Sequence, residues 1–301
     1  MIRYRGIAAF LLAFALSSAP VFSEEPPRAT WVWDTRLLLY PKEQASLLKF
    51  CHSHRIGTLY LFAYNLKAPM DQVYREFLRQ AHREGLSVYA LGGDPRWGQP
   101  RYHPVPLAWI ESIRQFNGQV SVEERFDGVH TDIEVYLLAK SWSEHPEALL
   151  GGYLDLHAKI AEILKSDRRP MGLGVDVPFW FDDDTAWRIL WHGVIRPPSH
   201  HMLDIADSIT VLAYRNAAEG SDGTIQLVSL EMDYADRIGK KVFIGQETQK
   251  DLFPAYVTFG GTSCAVLERE LKKIFKVMGH RPSFGGFAIH HYESYQKLCG
   301  E

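Results

Sequence analysis

"FDGVHTDIEV", residues 126–135, is the stretch whose reading decides the fold. Alternate positions of an extended strand face opposite sides. Here Val129, Ile133 and Val135 fall on one side, and His130, Asp132 and Glu134 on the other. Three ionisable groups on one strand face would be costly in an aliphatic core. They are tolerated where a strand delivers its end to a solvated mouth. Two carboxylates at i and i+2 also repel one another, so one proton is held more tightly. That pairing suits Glu134 to be a general acid with Asp132 as its ionised neighbour.

Working outward, the same kind of apolar run recurs. Strand-like segments are expected at 30–34, 57–63, 87–92, 128–134, 171–178, 208–214, 241–247 and 284–290. Helical spacing lies between most of them. "PKEQASLLKFCHSHR" opens on Pro41 and places Leu47, Leu48 and Cys51 on one face. "APMDQVYREFLRQAHREG" repeats Val73, Phe77 and Ala81 at four-residue steps and stops at Gly85. The segment 179–204, rich in Trp, His and Pro, reads as a long loop with short helical pieces. Trp187 and Trp191, four apart, suggest helix packing there, and Asp182, Asp183 and Asp184 a solvated loop.

Eight strands alternating with helices predict an α/β fold, a single-domain (β/α)₈ TIM barrel over residues 30–301. An open doubly wound sheet would call for a glycine-rich phosphate turn after the first strand. "WVWDTRLLL" has no glycine. Ahead of the barrel, residues 1–23 carry Arg3 and Arg5, an apolar run of roughly ten residues and then small residues, the layout of a secretory signal peptide. The run is short of the ~20 residues that span a bilayer. Residues 24–29 read as a linker. An exported protein, periplasmic or secreted, with no membrane attachment after signal removal is the expectation.

Apolar residues make up 46 % of the chain and charged residues 23 %, enough to bury a core and stay soluble. Lys plus Arg is 33 against 36 for Asp plus Glu, which offers no electrostatic reason to expect nucleic acid. The three cysteines, Cys51, Cys264 and Cys299, are too widely spaced for a zinc site. Cys51 and Cys299 fall late in the first and last helices, which are ring neighbours. If a disulfide forms, that pair is the expected one.

Barrel active sites lie at the carboxyl ends of the strands. Those ends supply the candidate binding residues Trp33, Asp34, Asp94, Trp97, His130, Asp176, Tyr214, Gln246, Glu247 and His290, beside the candidate catalytic pair Glu134 and Asp132. Carboxylates and amides bind hydroxyls, and aromatic faces stack on sugar rings, so the composition of this mouth points to a polar, ring-shaped ligand. Neither a cofactor nor a bound metal is called for.

"DGVHTDIE" resembles the DG-x-D-x-D-x-E signature on strand four of family 18 glycoside hydrolases, the chitinase-like barrels. Asp127, Gly128, Asp132 and Glu134 match it, and His130 replaces the first inner aspartate. "LAYR" is similar to the family's M-x-Y-D, with Tyr214 matching and Arg215 in place of the aspartate. The resemblance implies a glycosidase in which Glu134 protonates the glycosidic oxygen. Asp132 would orient a substrate acetamido group that attacks the anomeric carbon, and Tyr214 would hold that group. Three alternatives follow from the residues. Glu247 on strand seven could be a nucleophile facing Glu134. The barrel could bind a glycan without cleaving it. His130, Asp132, Glu134 and His290 or His291 could ligate a metal in a hydrolase.

Overall fold

The computed structural model describes residues 25–183 and 187–300. The expected leader and Asp184 lie outside them. Eight parallel strands close into a barrel: β1 (Arg28–Val32), β2 (Ile56–Phe62), β3 (Ser87–Gly92), β4 (Gly128–Thr131), β5 (Gly172–Pro178), β8 (Ser208–Leu212), β9 (Lys241–Glu247) and β10 (Phe284–His290). The ring runs β1-β10-β9-β8-β5-β4-β3-β2. Two short strands, β6 (Ile189–Trp191) and β7 (Val194–Arg196), form a separate antiparallel hairpin. Around the barrel lie α1 (Pro41–Ser53), α2 (Met70–Arg83), α3 (Pro104–Gln119), α4 (Ala139–Glu144), α5 (Pro146–Lys165), α6 (Pro198–Ile205), α7 (Thr224–Leu227), α8 (Ser229–Ile238), α9 (Cys264–Met278) and α10 (Tyr292–Cys299). Among the described residues no helix is long and apolar enough to cross a membrane.

Two cores follow from the period-two strands. The outward residues, Val129, Val175, Val211 and Ile244 among them, meet the helices in one large apolar layer. In α2 the buried residues are Tyr74, Phe77, Leu78 and Ala81, a stripe at i, i+3, i+4 and i+7. Burying a side chain such as Phe77 is worth roughly 1.5–3 kcal/mol. The inward residues form a smaller, aromatic cluster of Ala29, Trp31, Tyr60, Leu91, Leu212 and Ala288. The polar groups of the site sit against that inner cluster.

Three details differ from the sequence reading. β1 begins at Arg28, inside the segment read as linker, where Arg28 is already in register with Phe287 of β10 and Ile56 of β2. Its buried guanidinium makes two 2.7 Å bonds to the Glu268 carboxylate on α9 and a third, also 2.7 Å, to the Tyr295 hydroxyl on α10. The 179–204 segment holds a hairpin, so Trp187 and Trp191 are not on a helix. Trp187 packs on Trp142 and Trp180, and Trp191 on His192 and His201. Asp182 is half-buried rather than solvated. Burial pushes its carboxyl up to about 6, and it faces the fully buried Glu231, itself raised by burial.

The disulfide also differs. Cys264 and Cys299 are bridged, with Cα atoms 4.9 Å apart, and Cys51 is a buried free thiol. The expected Cys51–Cys299 pairing requires a last helix long enough to carry Cys299 to the far end of the barrel. α10 has eight residues, about 12 Å of helix. Cys299 therefore remains level with the start of α9. Glu268 is one turn from Cys264 and Tyr295 one turn from Cys299, so Arg28 and the disulfide tie the same two helices to the first strand. Reduction should lower unfolding stability by about 2–4 kcal/mol, the scale for a closed loop of 35 residues. Burial pushes the Cys51 thiol up to about 12, so a thiol reagent should label no cysteine in the native oxidised protein and one after unfolding. Denaturant unfolding with and without reductant checks the first, and mass spectrometry of the labelled protein before and after unfolding checks the second.

Candidate active site

At the carboxyl end of β4 the chain changes character. Asp132 continues the ladder, its N–H donating to the Gly92 carbonyl at 3.0 Å. A 3₁₀ turn, Val135–Leu137, then begins, with Glu134 at its N-cap position. The strand is thus three residues shorter than expected. The alternation still holds where it matters: Val129, Ile133 and Val135 enter the outer core, and His130 points inward. The β3 loop fits against Asp132 because Gly93 has no side chain; a Cβ there would lie 1.8 Å from the Asp132 carbonyl oxygen.

His130 is read from sequence as a ligand-binding group, but only 1 % of it is exposed. Its Nε2 lies 2.7 Å from Asp176 Oδ1, and its ring stacks on Tyr60 with centroids 3.6 Å apart. Asp176, also buried, accepts a second bond at Oδ2 from the Trp31 indole N–H, at 2.9 Å. Gly174 makes room for the imidazole: a Cβ on it would meet His130 Nδ1 at 2.5 Å. Burial holds the His130 imidazole down at about 3, so it is neutral in ordinary buffers. His130 and Asp176 therefore lie beneath the floor and do not face a ligand.

Asp132 stands beside this pair. Thr131 is in register with Val175, which puts Asp132 next to Asp176 across neighbouring parallel strands, both on the inward side. Burial, then the charges of Asp176 and Glu134, push the Asp132 carboxyl well above the usual carboxylate range, so Asp132, expected from the sequence to be the ionised neighbour, is the group that holds its proton more tightly. Burial does the same to Asp176, opposed by the bond from Trp31. Asp132 Oδ1 is buried and meets no hydrogen-bond partner among the described residues. An unsatisfied buried oxygen in a native site marks a position where an outside group is expected. Glu134 is bonded at Oε1 by the Tyr136 hydroxyl. Burial and the charges of Glu247, Asp176, Asp132 and Glu134 push the Tyr214 phenol up, so it stays a donor.

Across the barrel, Glu247 is only 4 % exposed and both its oxygens are engaged. Oε1 accepts from the N–H groups of Thr248 and Gln249 at 2.8 and 2.7 Å, and Oε2 lies 2.8 Å from His290 Nδ1. A carboxylate held this way is poorly placed to be a nucleophile. The metal alternative asks His130 and His290 to converge with Asp132 and Glu134. His130 turns to Asp176 instead, and His290 to Glu247.

The other sequence candidates divide. Trp33 and His290 remain half-buried at the mouth. Asp34 and Asp94 cap the 3₁₀ turns that follow β1 and β3, each also paired with an arginine two residues on, Arg36 and Arg96. Trp97 is a packing residue, 7 % exposed against Trp109. Gln246 is fully buried and donates to the Ala213 carbonyl, between barrel and helices; with Glu247 inward, strand alternation turns it outward. Arg215 leaves the acid alone. It pairs with Asp222 and lies between the rings of Phe179 and Tyr256. Trp31, Tyr60 and Tyr136 were missed. Trp31 was legible, since it stands two residues before Trp33 on the same strand face. A basin of ≈ 430 Å³ lined by Arg114, Arg125 and Asp127 shares no residue with this cluster and lies at the opposite end of the strands.

No protein-family profile matches the chain, and no curated protein sequence does. Solved structures share its architecture. A GH18 chitinase from Pseudoalteromonas aurantia superposes with a TM-score of 0.55 at 14 % identity, covering 91 % of this chain and 96 % of that one. A chitinase from Chromobacterium violaceum gives 0.53 at 11 %, covering 91 % and 97 %. The Bacillus cereus spore cortex-lytic enzyme SleL gives 0.54 at 12 %, covering 89 % and 71 %. At these identities the likeness shows the fold: this chain has the barrel architecture found in those enzymes.

Raised carboxyls carry a stability signature. A group with a raised folded value binds more protons folded than unfolded, so stability falls as pH rises from the unfolded value, about 4, toward the folded one. Asp132→Asn removes one such group. It should raise the melting temperature more at pH 8 than at pH 4. Calorimetry at the two pH values checks this, and an equal gain at both would contradict the assignment.

Proposed function

We propose that the chain is an exported glycoside hydrolase that cleaves an acetamido-bearing glycan with Glu134 as general acid. The observation that carries this reading is the cluster at the end of β4: Glu134 at the mouth, Asp132 with an unmatched buried oxygen, and Tyr214 close enough to feel both charges. The barrel architecture shared with chitinases supports it. The layout of residues 1–23 supports export.

The chemistry runs as follows. Glu134 gives its proton to the glycosidic oxygen as the bond to the anomeric carbon breaks, and the bonding pair leaves with that oxygen. The acetamido carbonyl oxygen forms the new bond to the anomeric carbon, closing a five-membered cationic ring. Tyr214 donates to that carbonyl and orients it. Asp132 accepts the acetamido N–H at its unmatched oxygen and keeps the group turned toward the anomeric carbon. Water then opens the ring, and its proton returns to Glu134, giving one free hydroxyl on each fragment. Tyr136 holds Glu134 in place. The engaged oxygens of Glu247 disfavour a covalent route through that residue.

Glu134→Gln should reduce turnover of an acetamido glycan by roughly 10²–10⁴-fold, the usual contribution of general acid catalysis, with its melting temperature within a few degrees of the parent. Near-parental turnover in the variant would end the assignment. Binding of the glycan with no turnover by the parent would favour a non-catalytic glycan-binding barrel.

A further inference from the structure

Trp33 closes the inner face just beyond β1, and His290 ends β10, which neighbours β1 in the barrel. The Trp33 indole Nε1 lies 3.2 Å from His290 Nε2. An indole N–H can only donate. Nε2 of His290 is therefore the acceptor, and the imidazole proton sits on Nδ1. That atom donates to Glu247 Oε2 at 2.8 Å. Glu247 cannot rotate away easily, because Thr248 and Gln249 donate their N–H groups to its other oxygen. The His290 backbone is held as well, its carbonyl accepting from the Thr248 N–H at 2.9 Å and the Thr248 hydroxyl at 2.7 Å. The ring edge rests against Trp31, with centroids 5.3 Å apart, so it is fixed on three sides. One fifth of the side chain, 21 %, stays exposed, against 5 % for Glu247.

We infer that Trp33 and His290 form a clamp for one neutral hydroxyl of the ligand, and that Glu247 is the positioning residue that keeps the acceptor nitrogen of His290 toward the mouth. The pair offers one donor and one lone pair side by side. A hydroxyl, which both accepts and donates, satisfies both at once, replacing the long indole–imidazole contact with two shorter bonds. An ammonium group could not accept from the indole. A carboxylate would leave the lone pair facing its own oxygens, with the charge of Glu247 behind. The inference rests on the carbohydrate reading above and deepens it. It assigns Glu247 a role through His290, where the sequence alone left it as direct binder or nucleophile.

The test has two arms. In the first, long-range ¹⁵N–¹H correlation of the imidazoles, with His290→Asn to assign the signal, reads the tautomer directly. The parent should show His290 protonated at Nδ1. Glu247→Gln places an amide that can donate to Nδ1, so it should shift the proton to Nε2. A tautomer unchanged by Glu247→Gln would overturn the positioning role, whatever the activity.

The second arm compares 4-nitrophenyl N-acetyl-β-glucosaminide with its 3-, 4- and 6-deoxy analogues. The parent should discriminate against one analogue by roughly 10–100-fold in kcat/KM, the scale of leaving a buried polar group unmet. Trp33→Phe and Glu247→Gln should each lose that discrimination, because the hydroxyl no longer finds both partners. Discrimination that survives in either variant overturns the clamp while leaving the glycosidase reading intact. Failure of the parent to bind or cleave any of the four sugars, with Glu134→Gln also binding none, overturns the carbohydrate reading and the clamp's ligand with it.

Discussion

A carboxylate inside a parallel barrel has no water to solvate it, and the arrangement around Asp176 answers that constraint. Its two oxygens take one donor each, the Trp31 indole and the His130 imidazole. The imidazole must approach along β4, and it can do so only because β5 has a glycine at position 174. Tyr60 then covers the exposed face of the ring. Four strands are thereby committed to one buried carboxyl group. Leaving a buried polar group without its partner costs on the order of 1–3 kcal/mol. The inner core is correspondingly built from aromatic and polar groups, and the outer layer supplies most of the apolar burial.

That buried pair also shapes the chemistry above it. Asp132, half-buried, lies beside a second carboxyl, so the two groups resist ionising together. The same proximity that makes Asp132 a poor contributor to stability makes it responsive to a ligand that supplies a donor. Functional sites commonly hold groups in conditions that the fold alone would not choose. On the facing side of the barrel the logic repeats in a more open form. A carboxylate, Glu247, fixes a histidine, and the histidine's other nitrogen accepts from the Trp33 indole at the mouth. Two histidine–carboxylate pairs thus flank Trp31. His130 is sealed, and His290 is within reach of solvent.

The first strand and the last two helices are secured to one another separately from the site. Arg28 bonds both α9 and α10, and the Cys264–Cys299 bridge joins the same helices one turn away from those bonds. In a barrel the first and last strands must meet, and closure is the step with the longest sequence separation. A cluster of charge pairing and covalent linkage at that seam holds β1 against β10 and leaves the carboxyl ends of the strands free for the site.

The barrel was legible in the sequence because its evidence is local. Each strand announces itself by apolar alternation, each helix by its stripe, and the register of "HTDIE" placed two carboxylates on the inner face before any fold was known. Trp33, Glu134 and His290 could be named on the same ground, as residues at strand ends. Which of these groups meets solvent was settled by tertiary packing. His130 and Asp176 read as binding residues until neighbouring strands brought them within 2.7 Å of each other and closed Tyr60 and Trp31 around them. Gln246 and Glu247 are adjacent in sequence, and only the pleat of β9 decided that one enters the barrel and the other the helical layer. The disulfide depended on the length of α10, a property of where a helix stops rather than of how its residues repeat. Periodicity reports which side of an element a residue occupies; what stands opposite it is a matter of three-dimensional contact.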